Sequence, residues 1–260
     1  MTLVKATALT KVYGTQASGV LSRALNGIDL EVEKGEFVGV MGPSGSGKTT
    51  LLNLFAGIDK PSGGDLQING HHIAKMSAKE LALFRRRQLG FVFQDFNLLD
   101  TLTLAENVGL PLTLDGHKGR TVQESVEKLL GYLGLHDLMN KYPYEVSGGQ
   151  QQRTAVARAV VHNPSLLLAD EPTGNLDSAS ARALLGVFQK LNTEQEATIL
   201  MVTHDPFAAS YCKRVVFIKD GQVYTQIDRV GERQPFFQKI LDTLAVLEGG
   251  SAHGMATTRI

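Results

Sequence analysis

The segment formed by residues 42–49 constrains the fold of this chain more than any other part of its sequence. It reads Gly-Pro-Ser-Gly-Ser-Gly-Lys-Thr and so follows the spacing G-x-x-x-x-G-K-[ST]. A short apolar run, Phe37–Met41, precedes it, and residues 48–56 have the pattern of a helix. Glycines let a backbone wrap closely around an anion, and a helix N-terminus offers free N–H groups. The segment therefore predicts a phosphate-binding loop, with Lys48 on the β- and γ-phosphates and the Thr49 hydroxyl at a Mg²⁺ position. The alternative is a glycine-rich connector with an exposed lysine.

The order of apolar and helical segments predicts an α/β fold. Residues 165–169 and 198–203 are short apolar runs typical of buried strands, and a helical stretch at residues 178–191 separates them. This strand–helix–strand order predicts a parallel sheet. Further regular patterns are a half-buried strand at residues 28–32, a helix-rich middle at about residues 95–165, a hairpin around Asp220–Gly221 and a short helix at residues 235–248.

Composition and charge exclude several other classes of protein. The 260 residues carry 26 Lys+Arg and 26 Asp+Glu, and a net charge of zero argues against a general nucleic-acid binder. Cys212 is the single cysteine, so an intramolecular disulfide framework is excluded and a reducing compartment is favoured. No apolar run reaches the ~20 residues of a spanning helix, and the first residues lack the pattern of a signal peptide. We therefore expect a cytosolic chain, unless a partner holds it at a membrane.

Two neighbouring carboxylates end one of the apolar runs. Asp170 and Glu171 follow directly after residues 165–169. Since side chains alternate along a strand, the two carboxylates point in different directions and can take different roles. Asp170 can orient the coordination shell of a Mg²⁺ ion, and Glu171 can act as a general base that polarises the water attacking a γ-phosphate. The alternative is a strand end whose acids are simply solvated.

A second helix start has the features of an anion site. Ser147 is a good N-cap residue, and Gly148 and Gly149 permit close approach to the backbone. One nucleotide does not obviously need two helix-end anion sites from the same chain. The alternative is therefore a capped helix that follows a turn.

His204 follows the apolar run at residues 198–203. A lone histidine is more often structural, but ligands bind beyond the carboxyl ends of strands in open α/β sheets. We therefore expect His204, Glu171 and Gly42 to share one edge of the sheet, and this position favours a functional role for the histidine.

These segments, in this order, resemble the ATP-binding subunit of an ABC transporter over about residues 3–225. The Walker A motif is residues 42–49, and the Walker B motif is residues 166–170, with Glu171 next. The signature motif is residues 146–150, with Val146 where Leu is usual. The remaining matches are Gln94 for the Q-loop, residues 174–177 for the D-loop in a Gly-Asn rather than a Ser-Ala form, His204 for the switch histidine and Tyr13 for the aromatic residue that stacks on adenine.

The resemblance implies a fold and a domain organisation. The fold class is α/β, with a P-loop NTPase (RecA-like) core, an antiparallel β subdomain and a helical ABC subdomain. Residues 1–228 would form the nucleotide-binding domain, with the helical subdomain at about residues 95–165, and residues 229–260 a short C-terminal helix and flexible tail. Two copies would pair head to tail, with each ATP between residues 42–49 of one copy and residues 147–150 of the other.

The resemblance also implies which residues bind and hydrolyse the nucleotide. The cofactors are ATP and Mg²⁺. Thr49, Gln94 and Asp170 belong to the metal site. Glu171, His204 and Lys48 are the catalytic residues. The residues implied in nucleotide binding are Tyr13, Gly42, Pro43, Ser44, Gly45, Ser46, Gly47, Lys48, Thr49, Thr50, Gln94, Ser147, Gly148, Gly149, Gln150 and Asp177.

Several stretches narrow the resemblance to one branch of the family. Residues 39–53 and 170–177 resemble macrolide exporters and lipoprotein-release ATPases, whereas residues 93–103, 203–212 and 217–225 are closer to bacitracin-resistance (Bce-type) ATPases. This implies a subunit that powers a membrane permease for resistance to bacitracin-like antimicrobial peptides. The alternative within the family is macrolide export or lipoprotein release. The alternative from another class is a soluble ABC regulator that does not serve transport.

The implied partners are a second copy of the chain and an integral-membrane permease, with no nucleic acid. We expect the permease to dock in a groove beside Gln94 that is lined by Phe96, Leu98 and Leu99. The alternative is that these apolar side chains fill a seam between subdomains.

A sensor histidine kinase is a further partner, reached through the permease. The chain would then lie at the cytoplasmic face of the cell membrane, held there by the permease.

Overall fold

A computed structural model describes residues 1–14 and 21–252 of the chain. Its strands are β1 (Thr2–Tyr13), β2 (Ser22–Glu33), β3 (Phe37–Met41), β4 (Gly63–Ile68), β5 (His71–His72), β6 (Leu89–Val92), β7 (Leu166–Asp170), β8 (Ile199–Val202), β9 (Arg214–Lys219) and β10 (Gln222–Asp228). Its helices are α1 (Lys48–Phe55), α2 (Ala78–Gln88), α3 (Leu104–Leu114), α4 (Gly119–Tyr132), α5 (Gly148–Val160), α6 (Ser178–Gln195), α7 (Pro206–Ala209) and α8 (Arg233–Ala252).

The described residues form two compact units. The first consists of Met1–Glu33, Phe37–Ala74 and the described part of Met201–Ile260, and the second of Lys34–Glu36 and Lys75–Leu200. The middle of the chain, which has the helical pattern in the sequence, therefore falls within the second unit. Strand β8 is shared by the two units: its first two residues belong to the second unit and its last two to the first.

The first unit contains an antiparallel sheet with the strand order β2-β1-β4-β5. In this sheet Val4 pairs with Val32 on one side and with Ile68 on the other, and all three side chains are buried. The alternation predicted for residues 28–32 thus marks the face of β2 that packs into the core. The antiparallel β subdomain is confirmed.

The first unit also contains the strand order β10-β9-β3, with the end of β8 beside β3. β3 and β9 run parallel, with Met41 paired to Phe217, and every residue of β3 is buried. β9 and β10 form the predicted hairpin, and its turn residues Asp220 and Gly221 have φ of 50° and 75°. Positive φ at both positions is typical of the type I′ turn, whose twist matches that of hairpin strands. The first unit thus holds the buried strand from which residues 42–47 lead into α1.

The second unit contains the parallel pair β6 and β7, with the register running from Leu89–Leu166 to Val92–Ala169. The strand–helix–strand unit predicted from the sequence corresponds to β7, α6 and β8, and β8 follows β7 in the strand order of this sheet. Helices α3, α4 and α5 enclose an apolar cluster, to which the predicted helical spacing of α4 contributes its buried face. The buried members of this cluster are Val108, Leu112, Val126, Leu130, Leu133, Leu135, Ala157 and Val161.

The last helix is longer than the sequence predicts. α8 continues to Ala252, past the predicted end at Glu248. The flexible tail predicted for the end of the chain lies beyond the described residues. At the start of α8, the Arg233 guanidinium lies 4.2 Å from the centroid of the Tyr211 ring.

Of the helices in residues 1–14 and 21–252, none combines the length and apolar character that crossing a bilayer requires.

Candidate functional site

The loop between β3 and α1 requires glycine at two positions in particular. Gly42 and Gly47 have φ of 151° and 102°, a region that other residues rarely adopt. A Cβ at Gly42 would collide with the Ile218 carbonyl oxygen, and a Cβ at Gly47 would lie 2.5 Å from the Ala24 carbonyl oxygen. The two glycines thus fix a backbone that passes close to its neighbours on both sides of the loop.

The same loop presents polar groups suited to phosphate oxygens. Gly47 occupies the N-cap position of α1 and makes no side-chain cap, so it leaves the first N–H groups of the helix for a ligand. Lys48 Nζ lies over the loop and donates to the carbonyl oxygens of Gly42 and Pro43 at 2.8 and 2.9 Å. Within the described residues, the buried Ser46 hydroxyl has no hydrogen-bond partner. An unsatisfied buried hydroxyl and an uncapped helix start fit the binding of an anion at this loop.

Tyr13 lies in the first unit close to the start of α1. Its hydroxyl donates to Asp59 Oδ2 at 2.8 Å and is hydrogen-bonded to the side chain of Thr50. Burial and the Asp59 carboxylate raise the pKa of this hydroxyl. The ring itself is 41% exposed, and Lys11 Nζ lies 4.7 Å from its centroid. An exposed ring held at its hydroxyl end is suited to stacking against a planar base.

His204 leaves the carboxyl end of β8. The preceding residue, Thr203, donates its backbone N–H to the Val40 carbonyl oxygen of β3 at 3.1 Å. His204 and the loop that starts at Gly42 therefore begin at neighbouring strand ends of the first unit, as the sequence predicts. Glu171 is described in the second unit, where it follows β7.

The backbone at Glu171 is strained. Its φ of 44° is in the left-handed region, which costs about 1–2 kcal/mol for a residue that carries a Cβ. The Glu171 carbonyl oxygen accepts a hydrogen bond from the Gly174 N–H at 3.0 Å, and Pro172 between them is buried. Strain of this kind persists where surrounding contacts hold it, and it is common at functional sites. The carboxylate proposed as general base thus sits on a backbone with a fixed, unusual conformation.

The start of α5 forms a reciprocal cap. The Ser147 hydroxyl accepts from the Gln150 N–H at 3.3 Å, and Gln150 Oε1 accepts from the Ser147 N–H at 2.9 Å. A Cβ at Gly149 would lie 2.6 Å from Ser180 Oγ at the start of α6. Ser147 and Gln150 therefore have a structural role in this chain, and their predicted contact with ATP stays a prediction.

Asp177 caps the next helix. Its Oδ1 accepts from the N–H groups of Ala179 and Ser180 at 2.9 and 3.0 Å, and its Oδ2 accepts from the Ser180 hydroxyl at 2.6 Å. These hydrogen bonds, the Ser180 hydroxyl above all, lower the pKa of the Asp177 carboxyl. The structural role of Asp177 is clear, and its role toward a nucleotide remains predicted.

Gln94 is connected to the D-loop by Asn175, the asparagine of its Gly-Asn form. Its Nε2 donates to Asn175 Oδ1 at 3.3 Å, and Asn175 Nδ2 donates to Asp95 Oδ1 at 2.8 Å. A Cβ at Gly174 would lie 3.1 Å from the Gln94 amide. The Gly-Asn form of this D-loop therefore has a local reason: glycine makes room for Gln94, and asparagine binds it.

Phe96 lies beside the start of α5. Its side chain is half-buried, and the edge of its ring lies 3.6 Å from the place of a Cβ on Gly148. Phe96 and Asn97 have φ of 61° and 50°, and Arg158 donates to their carbonyl oxygens at 3.0 and 2.6 Å. The role of Phe96 in a groove for a partner stays a prediction.

The second unit has a mainly apolar groove of about 460 Å³ next to this segment. Leu98 and Leu99 do not line it. The Phe91 and Phe93 rings stack in it with centroids 4.1 Å apart. Its other lining residues are Arg85, Arg86, Leu89, Gly90, Asn97, Leu110, Pro111, Leu114, Arg158, Ala159 and His162.

The predicted metal ligands all bind through oxygen atoms, and one of them is a carboxylate. The side chains of Thr49, Gln94 and Asp170 offer a hydroxyl, an amide oxygen and a carboxylate, the hard ligands that Mg²⁺ prefers. In the part of the chain that the structure describes, no group of three or more His, Cys, Asp or Glu residues is placed to hold a metal ion. A site with few protein ligands fits Mg²⁺, which usually keeps several waters and substrate phosphates in its shell.

Comparison with known proteins agrees with this geometry. The sequence model of the family described as ABC transporter matches residues 25–174. The ABC transporter ATP-binding protein YvcR of Bacillus subtilis is 57% identical over 253 residues, which are 97% of this chain and 97% of that protein. The bacitracin export ATP-binding protein BceA of Halalkalibacterium halodurans is 52% identical over 250 residues, or 96% and 98% of the two chains.

A solved structure matches as well. The ATP-binding cassette MJ0796, a dimer in a post-hydrolysis state bound to ADP and phosphate, superposes with a TM-score of 0.79 at 39% identity. The match covers 88% of this chain and 100% of the other. The chain therefore belongs to the ABC transporter family. It is one of the ATP-binding subunits of that family, an ATPase with the predicted α/β fold, and its resemblance to bacitracin-resistance ATPases is confirmed by the identity with BceA.

Proposed function

We propose that this chain hydrolyses ATP to power a membrane permease that protects the cell from bacitracin-like antimicrobial peptides. The observation that carries this proposal is the 52% identity to a bacitracin export ATP-binding protein over 96% of the chain. An alignment over nearly the whole length extends far beyond the phosphate-binding loop that is common to all such ATPases.

Each unit contributes groups with separate tasks in ATP hydrolysis. The loop at residues 42–49 binds the phosphates, Lys48 neutralises charge on the β- and γ-phosphates, and Tyr13 stacks on the adenine. Glu171 accepts a proton from the attacking water, and His204 holds the γ-phosphate at the moment of attack. Thr49, Asp170 and Gln94 would hold a Mg²⁺ ion, which would supply positive charge to the phosphate oxygens.

A second copy of the chain completes the site. Two copies pair head to tail, so that residues 147–150 of one copy contact the ATP on residues 42–49 of the other. In this arrangement the helix start at Ser147 contacts the ATP that the other copy binds. The second helix-end anion site of each chain therefore also has a ligand. The dimeric state of the MJ0796 cassette supports the pairing.

The permease docks on the mainly apolar groove of the second unit. Leu114 is 60% exposed at this groove, and an exposed apolar side chain in a concave, mainly apolar surface suits contact with a partner. The occupant is a cytoplasmic segment of the permease with an apolar face. The chain then lies at the cytoplasmic face of the cell membrane, and a sensor histidine kinase is reached through the permease.

A charge placed in the groove should release the permease. We expect Leu114→Glu to abolish co-purification with the permease in detergent, because the substitution removes an apolar contact and would bury a hydrated carboxylate beneath an apolar partner surface. ATP hydrolysis by the isolated chain should stay within about two-fold, because Leu114 has no proposed part in catalysis. The matched control is Val246→Glu on α8, at a side chain that is 63% exposed and does not line the groove. Equal co-purification of both variants would mean that the permease docks elsewhere.

Drug resistance tests the physiological role. The chain and the permease encoded beside it are expressed in a bacitracin-sensitive bacterium, with Glu171→Gln as the inactive control. We expect a several-fold rise in the inhibitory concentration of bacitracin that requires Glu171, and no change for a macrolide. Protection against the macrolide alone would favour the macrolide-export alternative and contradict the proposal.

A further inference from the structure

Gln152 is a fully buried polar residue on the apolar face of α5. Its relative exposure is 0%, like that of Ala155 and Val156 one turn later. Its Nε2 donates to the Phe93 carbonyl oxygen at 3.0 Å and to the Pro172 carbonyl oxygen at 2.7 Å. A buried amide at such a position needs partners, and these two are the last residue before Gln94 and the first residue after Glu171.

The chemistry of the two partners fixes the orientation of the amide. Both partner atoms are carbonyl oxygens, which only accept hydrogen bonds, so the NH₂ group must face them. The Gln152 Oε1 atom is buried and has no partner within the described residues. The orientation is therefore set by the two loops, even though it leaves the other end of the amide unsatisfied.

The two hydrogen bonds join the loop after β6 to the loop after β7. The Pro172 carbonyl follows directly on Glu171, whose φ of 44° requires support from its surroundings. The Phe93 carbonyl precedes Gln94. Both bonds come from one amide on the helix that begins at the signature motif.

We propose that Gln152 is a positioning residue for ATP hydrolysis, which holds Glu171 and Gln94 in their working places relative to the start of α5. This inference rests on the proposed role of Glu171 as general base. A residue that holds the base should affect the chemical step more than the binding of nucleotide, since small displacements of a catalytic group are costly in rate.

The test compares Gln152→Leu with Thr154→Val. Thr154 is also fully buried in α5, but its hydroxyl donates to the Gln150 carbonyl oxygen in the same helix, so the control removes a buried polar group without touching either loop. We expect Gln152→Leu to lower kcat about 10- to 100-fold, with nucleotide affinity within about two-fold of wild type. Thr154→Val should keep kcat within about two-fold. A kcat for Gln152→Leu equal to that of Thr154→Val, whatever the melting temperatures, would overturn the inference.

A second variant covers the case in which Gln152→Leu does not fold. In Gln152→Glu, the ionised carboxylate would face two carbonyl oxygens and lose both hydrogen bonds, while its protonated form would regain one. We expect the ratio of its kcat to the wild-type kcat to rise as the pH is lowered from 8 to 6. The reason is that burial beside hydrogen-bond acceptors raises the pKa of a carboxyl group. A ratio that does not change with pH would contradict the inference.

The Glu171→Gln variant, measured in parallel, separates the two ideas. If it loses hydrolysis while Gln152→Leu keeps its full kcat, the proposed function stands and the positioning role fails. If Glu171→Gln itself hydrolyses ATP normally, the role of Glu171 as general base fails, and the positioning role of Gln152 fails with it. If the wild-type chain does not hydrolyse ATP, the proposed function fails.

Discussion

Glu171→Gln is expected to hydrolyse ATP about 10²–10⁴-fold more slowly than the wild-type chain and to bind ATP with unchanged affinity. The amide has the shape of the carboxylate but cannot accept a proton from water. The hydrogen bond from the Gly174 N–H goes to the Glu171 backbone, so the substitution leaves the local conformation in place. Because ATP bound between two copies favours the dimer by mass action, the variant should accumulate as an ATP-dependent dimer.

Phosphate release and size-exclusion chromatography with and without Mg-ATP measure this prediction. The matched control is Glu196→Gln, because Glu196 also has a left-handed backbone, with φ of 52°, but caps the C-terminal end of α6. We expect the control to hydrolyse ATP and elute like wild type. A wild-type rate for Glu171→Gln, or an elution position that ATP does not change, would count strongly against its role as general base.

The second large effect is expected at the start of α5. Ser147→Arg should block turnover but spare nucleotide binding to the isolated chain, since the proposed head-to-tail pair places Ser147 against the ATP of the other copy. Lys48→Ala should weaken binding directly, because Lys48 belongs to the loop that we propose binds the phosphates. The two variants therefore separate binding from closure of the dimer.

A matched control exists for the cap that Ser147→Arg removes. Ser77 forms the same reciprocal cap with Glu80 at the start of α2. Loss of either N-cap costs about 0.5–2 kcal/mol of stability, so Ser77→Arg reproduces the structural damage alone. A fluorescent-nucleotide titration and the ATPase rate are measured for all three variants. Equal loss of binding in Ser147→Arg and Lys48→Ala would contradict the shared site.

The sequence predicted those parts of the site that depend on local spacing. The glycine positions in residues 42–47, the carboxylates at the end of β7 and the histidine after β8 each follow from a short motif next to an apolar strand. Local steric and capping rules act over a few residues, so one segment contains all the information needed.

The contacts between distant segments could not be predicted in this way. Gln94 and Asn175 are 81 residues apart, and Gln152 and Phe93 are 59 residues apart. In the sequence, Gln152 is one of three successive glutamines, and only its alignment with Ala155, Val156 and Ala159 on a buried face marks it as unusual. That signal indicates burial but does not identify the hydrogen-bond partners.

Phe96 shows what an apolar pattern leaves undetermined. Apolar residues in a loop predict an interaction surface, and in the structure the edge of the Phe96 ring lies close to Gly148 at the start of α5. The backbone of Phe96 and Asn97 is left-handed, and Arg158 donates to both carbonyl oxygens. Asparagine adopts this conformation more readily than most residues, but the contacts with Gly148 and Arg158 join segments that are distant in the sequence and have no local signal.

Mixing two inactive chains tests the central claim, that two copies share each ATP, most directly. Lys48→Ala keeps an intact start of α5, and Ser147→Arg keeps an intact phosphate-binding loop. In a head-to-tail pair of one of each, one site is built from two intact halves and the other from two damaged halves. An equal mixture should therefore hydrolyse ATP at up to about a quarter of the wild-type rate, although each variant alone is inactive. A mixture no more active than the average of the two separate variants would contradict the claim.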